Sequence, residues 1–269
     1  MEKLTNHTLI YDSECPMCDL YTRGFIKAGM LDADGRIEYG CARVPVTFNN
    51  ERARDEIALV DYQTGTVTYG LDSLIKIVGH SFPWLSKILA LPPVNWMLWR
   101  LYYFISYNRK VIAPPAEFEK RGSCTPAYHR GYRIAYIVFA WVLSSLVLYR
   151  FRVTSFPIVH EGGGSVEFNL LGGLMVIQMV IMRLLSPAKV LHYIGNMMTV
   201  SVIGALLLLP MVILNGFISS PPAIPMIWFS MVVTFMFYLH WNRVLMLGVP
   251  WACITWGAYI ILALCIYFN

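Results

Sequence analysis

Residues 8–18 read Thr-Leu-Ile-Tyr-Asp-Ser-Glu-Cys-Pro-Met-Cys, and this stretch decides the fold of the N-terminal half of the chain. The apolar residues 8–11 are typical of a short strand. Pro16 is favourable in the first turn of a helix, because the N–H that proline lacks would have no partner there. The stretch therefore predicts a strand that leads into a helix over residues 15–30, with Cys15 and Cys18 where that helix begins.

The sequence beyond this stretch continues the alternation of strands and helices. Residues 36–41 are typical of a second strand, and residues 57–62 and 67–69 of a β-hairpin closed by a glycine turn. Asp72 is a residue type that caps helix N-termini, and an apolar helix face follows it. A strand, a helix and a strand, followed by a hairpin and a helix, form the α/β core of the thioredoxin-like fold.

The C-x-x-C spacing of Cys15 and Cys18 indicates thiol chemistry. A sulfur on the opening turn of a helix lies near unpaired backbone N–H groups, which favour its thiolate form. The second cysteine follows one turn later, so Cys15 is the expected nucleophile and Cys18 the resolving thiol. A C-x-x-C pair can also be half of a zinc site, but the strand-to-helix setting favours a redox-active dithiol.

Acidic residues flank the cysteine pair. Asp12 has two interpretations, an acceptor for backbone N–H groups in the turn before the helix and a proton acceptor for Cys18; the first is preferred. Together with Glu14 and Asp19 it is expected to raise the pKa of Cys15. A destabilised thiolate makes a dithiol more reducing, so we expect a potential nearer about −270 mV than about −120 mV.

Residues 9–18 resemble the D-x-x-C-x-x-C signature of the DCC family of thiol-disulfide oxidoreductases. The hairpin at residues 57–69, the helix start at residues 72–73 and the segment Tyr-Asn-Arg-Lys at residues 107–110 are similar to later segments of that family. The resemblance covers roughly residues 7–112. It implies a thioredoxin-like fold and dithiol chemistry at Cys15 and Cys18, with Asp12 as the third signature residue and no cofactor beyond the cysteine pair.

One feature of thioredoxins is missing from the sequence. Thioredoxins place a cis-proline immediately before the hairpin, where it faces the C-x-x-C motif and helps to hold the substrate chain. Here that position reads Arg-Asp-Glu-Ile at residues 54–57, and Pro45 lies about ten residues too early. We therefore do not expect substrate to bind by backbone pairing beside a cis-proline, and the redox partner is a small thiol or a partner protein.

Two further cysteines outside the apolar half are candidate auxiliary thiols. Cys41 is expected to end the second strand, either near the C-x-x-C motif or as a small buried apolar residue. Cys124 is expected on the linker before the first apolar segment, as a third redox thiol or an exposed loop residue. The four cysteines, with 2, 22 and 82 residues between them, match no familiar zinc module, and no metal site is predicted.

The charged residues divide the chain into two halves that suit different solvents. Residues 1–133 hold 16 of the 21 Lys and Arg and 14 of the 16 Asp and Glu, although the whole chain is 57% hydrophobic and 14% charged. A soluble domain carries about 25% charged residues. This composition excludes a purely soluble enzyme, a disordered protein and a small secreted disulfide domain. The net charge of +5 is modest and indicates no nucleic-acid partner.

The C-terminal half is expected to form an all-α bundle of about five membrane spans in a lipid bilayer. The predicted spans cover residues 134–149, 168–185, 193–214, 224–241 and 248–268. The predicted organisation is a thioredoxin-like domain at residues 1–112, a linker at 113–133 and a transmembrane helical domain at 134–269.

The basic residues between the spans predict an orientation. Six Lys and Arg residues lie on the side of the N-terminal domain, and only Arg150 and Arg152 lie on the other side. The six are Arg121, Arg130, Arg133, Arg183, Lys189 and Arg243. Because basic loops face the cytoplasm, we expect an integral membrane protein, in a bacterial inner membrane, whose N-terminal domain is cytoplasmic.

Polar residues in the apolar half leave other functions open. His192 and Asn196 share a helix face, and His240 and Arg243 are expected at the same end of the bundle. Interfacial anchors or hydrogen bonds between helices are the preferred interpretation. The alternatives to a redox enzyme are a zinc- or copper-binding membrane protein and a non-enzymatic scaffold or transporter with a vestigial C-x-x-C motif.

Residues 82–107 are rich in tryptophan and tyrosine and contain only two charged residues, Lys87 and Arg100. Pro92 and Pro93 divide them into what we expect to be two short helices, too short to cross a bilayer. These helices either cover the sheet or place part of their surface among lipid headgroups, where aromatic belts occur. The two interpretations are compatible.

Overall fold

The computed structural model of the chain describes residues 2–114, 128–156, 165–218 and 220–268. The chain divides into two compact units, Met1–Tyr132 and Arg133–Asn269. The first unit is an α/β domain and the second is helical, so the predicted fold class is confirmed.

The first unit contains a four-stranded mixed sheet. Its strands are β1 (His7–Tyr11), β2 (Arg36–Glu38), β3 (Ala58–Asp61) and β4 (Val67–Tyr69), in the order β2-β1-β3-β4. Strand β1 is parallel to β2 and antiparallel to β3, and β3 pairs with β4 as the predicted hairpin. This is the topology of a thioredoxin-like core, with the loop after β1 at the end of the central parallel pair.

In the described part of the first unit, five helices accompany this sheet. They are α1 (Pro16–Lys27), α2 (Asn50–Asp55), α3 (Gly70–Ser81), α4 (Pro83–Leu89) and α5 (Pro92–Ile112), and α4 packs on α3 and α5. Neighbouring residues of the central strands point to opposite faces of the sheet. Leu9 packs with Leu59 and Ile77 on one face, and Ile10 packs with Ala58 and Val60 on the other. Because both faces are covered, all five residues of β1 are buried.

Helix α3 begins three residues earlier than its sequence predicts, with Tyr69 and not Asp72 at the N-cap position. Gly70 has a φ of +59°, a backbone conformation that suits glycine, and lets the chain pass directly from β4 into the helix. A Cβ atom at this position would lie 2.5 Å from Oε2 of Glu56. Asp72 is therefore in the first helical turn, and the prediction that it caps the helix is wrong.

The segment between β2 and α5 also differs from the prediction. Residues 39–41 form a 3₁₀ turn (Tyr39–Cys41) that ends the second strand early, and α2 was not predicted. Asn49 caps α2 by accepting a hydrogen bond from the backbone N–H of Arg52. Helix α5 spans 21 residues, so the prediction of two short helices holds only for α4.

Five helices are described in the second unit. They are α6 (Arg130–Ser155, which begins in the last residues of the first unit), α7 (Ser165–Leu185), α8 (Val190–Phe217), α9 (Ala223–Met246) and α10 (Ala252–Phe268). Among the described residues, four helices are long and apolar enough to cross a bilayer, and one shorter apolar helix covers Ala252–Ala263. The expectation of about five spans is confirmed.

The first two of these helices are longer than predicted. The prediction ends each span where charged residues begin, whereas the helices continue through those residues. Arg152 is expected in a loop from its sequence, but it lies in α6 and its Nε donates to Oε1 of Glu167 in α7. Both side chains are buried. A paired charge is tolerated among apolar helices, so α6 continues to Ser155 instead of ending near residue 149.

Polar side chains elsewhere in this unit join neighbouring helices. Arg243 of α9 donates to Oδ1 of Asn196 in α8 at 2.9 Å, and the amide of Asn196 donates to the His192 carbonyl. Tyr193 lies 3.5 Å from Nε2 of His240, and its hydroxyl donates to Gln178 of α7. These contacts agree with the interpretation of the polar residues as hydrogen bonds between helices.

The buried pair Arg152 and Glu167 gives the first testable prediction. Glu167→Gln leaves the buried guanidinium of Arg152 without its carboxylate, so we expect the free energy of unfolding to fall by about 3 kcal/mol. Thermal unfolding in detergent, followed by the circular dichroism of the helices, measures the change. Arg150→Gln is the matched control, because Arg150 is exposed and lies in α6, the helix that contains Arg152. Equal stability of Glu167→Gln and the control contradicts the prediction.

Candidate active site

The start of α1 places Cys15 and Cys18 next to each other. Cys15 is the residue that caps the helix: its Sγ accepts a hydrogen bond from the backbone N–H of Cys18 at 3.4 Å. The N–H of Cys15 in turn donates to the carbonyl of Asp12 at 3.2 Å. Both cysteines are free thiols and only 5% and 6% exposed. The geometry therefore brings the two sequence-predicted thiols together at the carboxyl end of β1.

Asp12 makes two contacts that fix the loop between β1 and α1. Its Oδ1 accepts from the backbone N–H of Glu14 at 3.1 Å, as in the turn expected from the sequence. Its Oδ2 accepts from Nη2 of Arg109 at 3.2 Å. Both side chains of this ion pair are 7% exposed, so water screens it little.

Arg109 is the site residue that sequence reasoning missed. It lies near the end of α5, and besides Asp12 it donates from Nη2 to the Arg54 carbonyl at 2.9 Å and from Nη1 to the Asp55 carbonyl at 3.1 Å. Its charge acts on both thiols. The signal that was available is its place in the segment Tyr-Asn-Arg-Lys, although the 90 residues between Cys18 and Arg109 conceal the contact.

The two thiols have opposite acidities. Hydrogen bonds from Cys18, from its thiol and also from its backbone N–H, lower the pKa of Cys15 to about 7; the charge of Arg109 adds to this effect, and burial opposes it. The hydrogen bond to Cys15 and burial raise the pKa of Cys18. At neutral pH, Cys15 is thus partly a thiolate that Cys18, still protonated, stabilises.

The pKa of Cys15 is lowered, contrary to the expectation that the nearby carboxylates make it higher than usual. The carboxylate of Asp12 does act in that direction, but its effect is smaller than that of Arg109. Asp19 is held in ion pairs with Arg23 at 2.9 Å and Arg36 at 3.0 Å, which compensate its charge. The hydrogen bonds from Cys18 therefore outweigh the acidic residues.

Two tyrosines lie near the resolving thiol. Tyr21, one turn after Cys18, contacts the cysteine pair and hydrogen-bonds to Cys18, and burial raises the pKa of its own hydroxyl. Tyr102 lies within electrostatic reach of Cys18, and its hydroxyl accepts from the backbone N–H of Ile57 at 3.3 Å. The hydrogen bond from Tyr21 lowers the pKa of Cys18, but this effect is smaller than those of burial and of the hydrogen bond to Cys15, which raise it.

The backbone before the hairpin is already engaged within the domain. This segment, residues 54–57, occupies the place where thioredoxins carry their cis-proline. Here the carbonyls of Arg54 and Asp55 accept from Arg109, and no cis peptide bond occurs in the described ranges. The arrangement agrees with the expectation that a substrate chain does not pair with the backbone at this position.

The other candidate ligands and thiols do not join the pair in the part of the chain that is described. Cys41 is exposed on the 3₁₀ turn after β2, so the prediction of a strand end and that of a buried residue are wrong. Cys124 lies outside the described residues. Within the described residues, no three His, Cys, Asp or Glu side chains come together as a metal site.

The acidity of Cys15 gives a pH-dependent prediction. Only the thiolate reacts with iodoacetamide, so the alkylation rate of reduced Cys15, followed by peptide mass spectrometry, rises with pH and is half-maximal near pH 7. Arg109→Gln removes a favourable charge, and we expect the midpoint to rise by about one pH unit. Arg109→Lys, which keeps the charge, moves the midpoint less.

Lys27→Gln, which removes an exposed charge at the other end of α1, is the control and leaves the midpoint unchanged. A midpoint of about 8.5 in the unaltered protein, the ordinary value for cysteine, contradicts the role assigned to the hydrogen bonds. An identical midpoint in Arg109→Gln contradicts the role assigned to Arg109.

Comparison with known families agrees with this geometry. Residues 9–113 match the model of the family described as DCC1-like thiol-disulfide oxidoreductase. The match begins in β1 and ends just after α5, so it includes Asp12, both cysteines and Arg109. Searches of the curated proteins and of the solved structures gave no match. Residues 9–113 are therefore similar to the DCC1-like thiol-disulfide oxidoreductases, and apolar helices of membrane-spanning character follow this region.

Proposed function

We propose that this chain is a membrane-anchored thiol-disulfide oxidoreductase that exchanges electrons through Cys15 and Cys18. The observation that carries the proposal is the pair of buried thiols at the start of α1, in which Cys15 is acidic and Cys18 is not. A zinc site or a vestigial motif requires neither this difference in acidity nor a buried cation beside the pair. The family match of residues 9–113 supports the same activity.

The proposed reduction of a substrate disulfide has two steps. The Cys15 thiolate attacks one substrate sulfur, the substrate S–S bond breaks, and the leaving thiolate takes a proton from solvent. The Cys18 thiol then loses its proton and attacks Cys15, which releases the second substrate thiolate and leaves a Cys15–Cys18 disulfide. Two electrons pass from the pair to the substrate, and the same steps in reverse oxidise a dithiol.

Each residue of the site has a separate role in this proposal. Cys15 and Cys18 are the catalytic residues, and they supply the electrons without a bound cofactor. Arg109 is a positioning residue that also stabilises negative charge on either sulfur as the reaction passes from Cys15 to Cys18. Asp12 holds Arg109 and the loop through its two carboxylate oxygens, which supports a structural role over that of proton acceptor.

The substrate of this proposal is a thiol or disulfide that reaches a recessed sulfur. Cys15 is itself buried, whereas Ser13, Pro16 and Leu20 around it are exposed. A small disulfide, or a flexible cysteine side chain of a partner protein, suits this opening better than an extended peptide paired to the segment at residues 54–57. Cys124 remains a candidate auxiliary thiol in the proposal, whereas Cys41, exposed on the turn after β2, takes no part in the exchange.

The proposed location is a bacterial inner membrane with the N-terminal domain in the cytoplasm. The support for this orientation is the excess of basic residues at the ends of the helices on the side of the N-terminal domain. Reducing conditions in the cytoplasm keep exposed thiols such as Cys41 free, whereas a buried pair with its own acidic cysteine still cycles.

The exchange reaction predicts different effects for the two cysteines. Cys15→Ser removes the nucleophile, so reduction of a dithiol-specific test disulfide by the purified full-length protein falls to the background rate. Cys18→Ser leaves the nucleophile but no resolving thiol, so a mixed disulfide between Cys15 and the substrate accumulates. Mass spectrometry of the trapped adduct and a thiol-release assay measure the two results.

Cys41→Ser is the matched control, because it removes an exposed thiol of the same domain and is expected to keep the full rate. Wild-type turnover by Cys15→Ser overturns the proposed function. Binding of one zinc ion for each chain, lost in both Cys15→Ser and Cys18→Ser, favours the metal-binding alternative instead.

A further inference from the structure

Helices α4 and α5 expose an apolar surface that a soluble domain would bury. Trp84 of α4 and Trp96 of α5 are each 64% exposed. The other large apolar side chains exposed on this α4–α5 face are Ile88, Leu91, Met97, Leu101 and Ile105. Scattered apolar residues on a surface need no explanation, but six within two consecutive helices, and Leu91 between them, indicate an interaction surface.

The spacing of these residues shows that the face belongs to one side of α5. Met97, Leu101 and Ile105 follow each other at intervals of four, which places them in one row along the helix. The opposite side of α5 packs on the domain: Ser106 donates to the Asp55 carbonyl and Tyr103 to the carboxylate of Glu56. The exposed row is therefore not part of the core.

The charge of this region has a single sign. Residues 73–116 contain five Lys and Arg and no Asp or Glu. Lys76 and Arg109 are paired with Asp61 and Asp12. Lys87 and Arg100, in contrast, are exposed among the apolar residues of the α4–α5 face, and the guanidinium of Arg100 lies 5.5 Å from the ring centre of Trp96. The face is thus apolar and cationic.

We propose that the α4–α5 face docks on an anionic phospholipid surface, with its tryptophans at the level of the headgroups. Helices that lie in a membrane interface combine an apolar face that carries Trp and Leu with Lys or Arg beside it. Tryptophan is enriched at this depth, and each basic residue near an anionic surface contributes about 1 kcal/mol.

The apolar helices of the same chain would hold the α4–α5 face close to a membrane. Helix α5 ends at Ile112 and α6 begins at Arg130, so 17 residues connect them. A connection of this length reaches at most about 60 Å. The tethered domain consequently meets the bilayer surface at a high effective concentration, and weak contacts are sufficient for docking.

Photocrosslinking in membranes tests this inference. The photoreactive residue p-benzoylphenylalanine replaces Met97 in the full chain, which is reconstituted in vesicles of phosphatidylcholine alone or with phosphatidylglycerol. We expect a phospholipid adduct at Met97 that is more abundant with phosphatidylglycerol. Gln63, exposed on the hairpin turn, is the matched control position. We expect at least about fivefold less lipid adduct there, which corresponds to about 1 kcal/mol of weaker attraction to the membrane, the contribution of one basic residue.

Replacement of the two basic residues separates charge from apolar contact. Lys87→Gln and Arg100→Gln each lower the adduct yield at Met97 in phosphatidylglycerol vesicles by about fivefold. Neither residue contacts the cysteine pair, so an unchanged alkylation rate of Cys15 shows that the variant is folded. An adduct between Met97 and protein, or equal lipid adducts at Met97 and Gln63, overturns the proposal. The redox function stands or falls separately.

Discussion

The ion pair between Asp12 and Arg109 is the contact on which the N-terminal domain depends. It joins the loop before α1 to the last turns of α5, and Arg109 also binds the carbonyls of Arg54 and Asp55. Three distant segments therefore meet at one buried guanidinium beside Cys15. Because removing one partner of a buried pair costs about 3–5 kcal/mol, the site and the fold are stabilised together. The family match, which ends just after α5, includes both partners.

The local elements of the domain could be predicted from the sequence because short-range patterns determine them. The strand and helix around Cys15 and the hairpin from Ala58 to Tyr69 follow from apolar alternation, proline and glycine. The acidity of Cys15 could not be predicted in the same way. It depends first on the hydrogen bonds from Cys18, which arise only when the pair is folded, and then on Arg109, which is far away in the sequence. Charge counts near a motif miss such partners.

The helical unit shows the same limit. Hydropathy identified the apolar helices. The predicted end of the first span, however, lies before charged residues that the structure includes in α6. Arg152 remains in α6 because Glu167 of α7 compensates its charge. Arg243 similarly finds Asn196 on a neighbouring helix. A span boundary predicted from charge alone is therefore too early wherever the charge has a partner on another helix.

The midpoint potential of the Cys15 and Cys18 pair tests the account most directly. It is measured in the purified full-length protein by thiol trapping and mass spectrometry across a series of glutathione or dithiothreitol buffers. A thiol pKa of about 7 is close to that of thioredoxin. The account predicts a reversible two-electron transition confined to this pair, nearer about −270 mV than about −120 mV. A potential above about −170 mV, or two cysteines that do not oxidise, would contradict it.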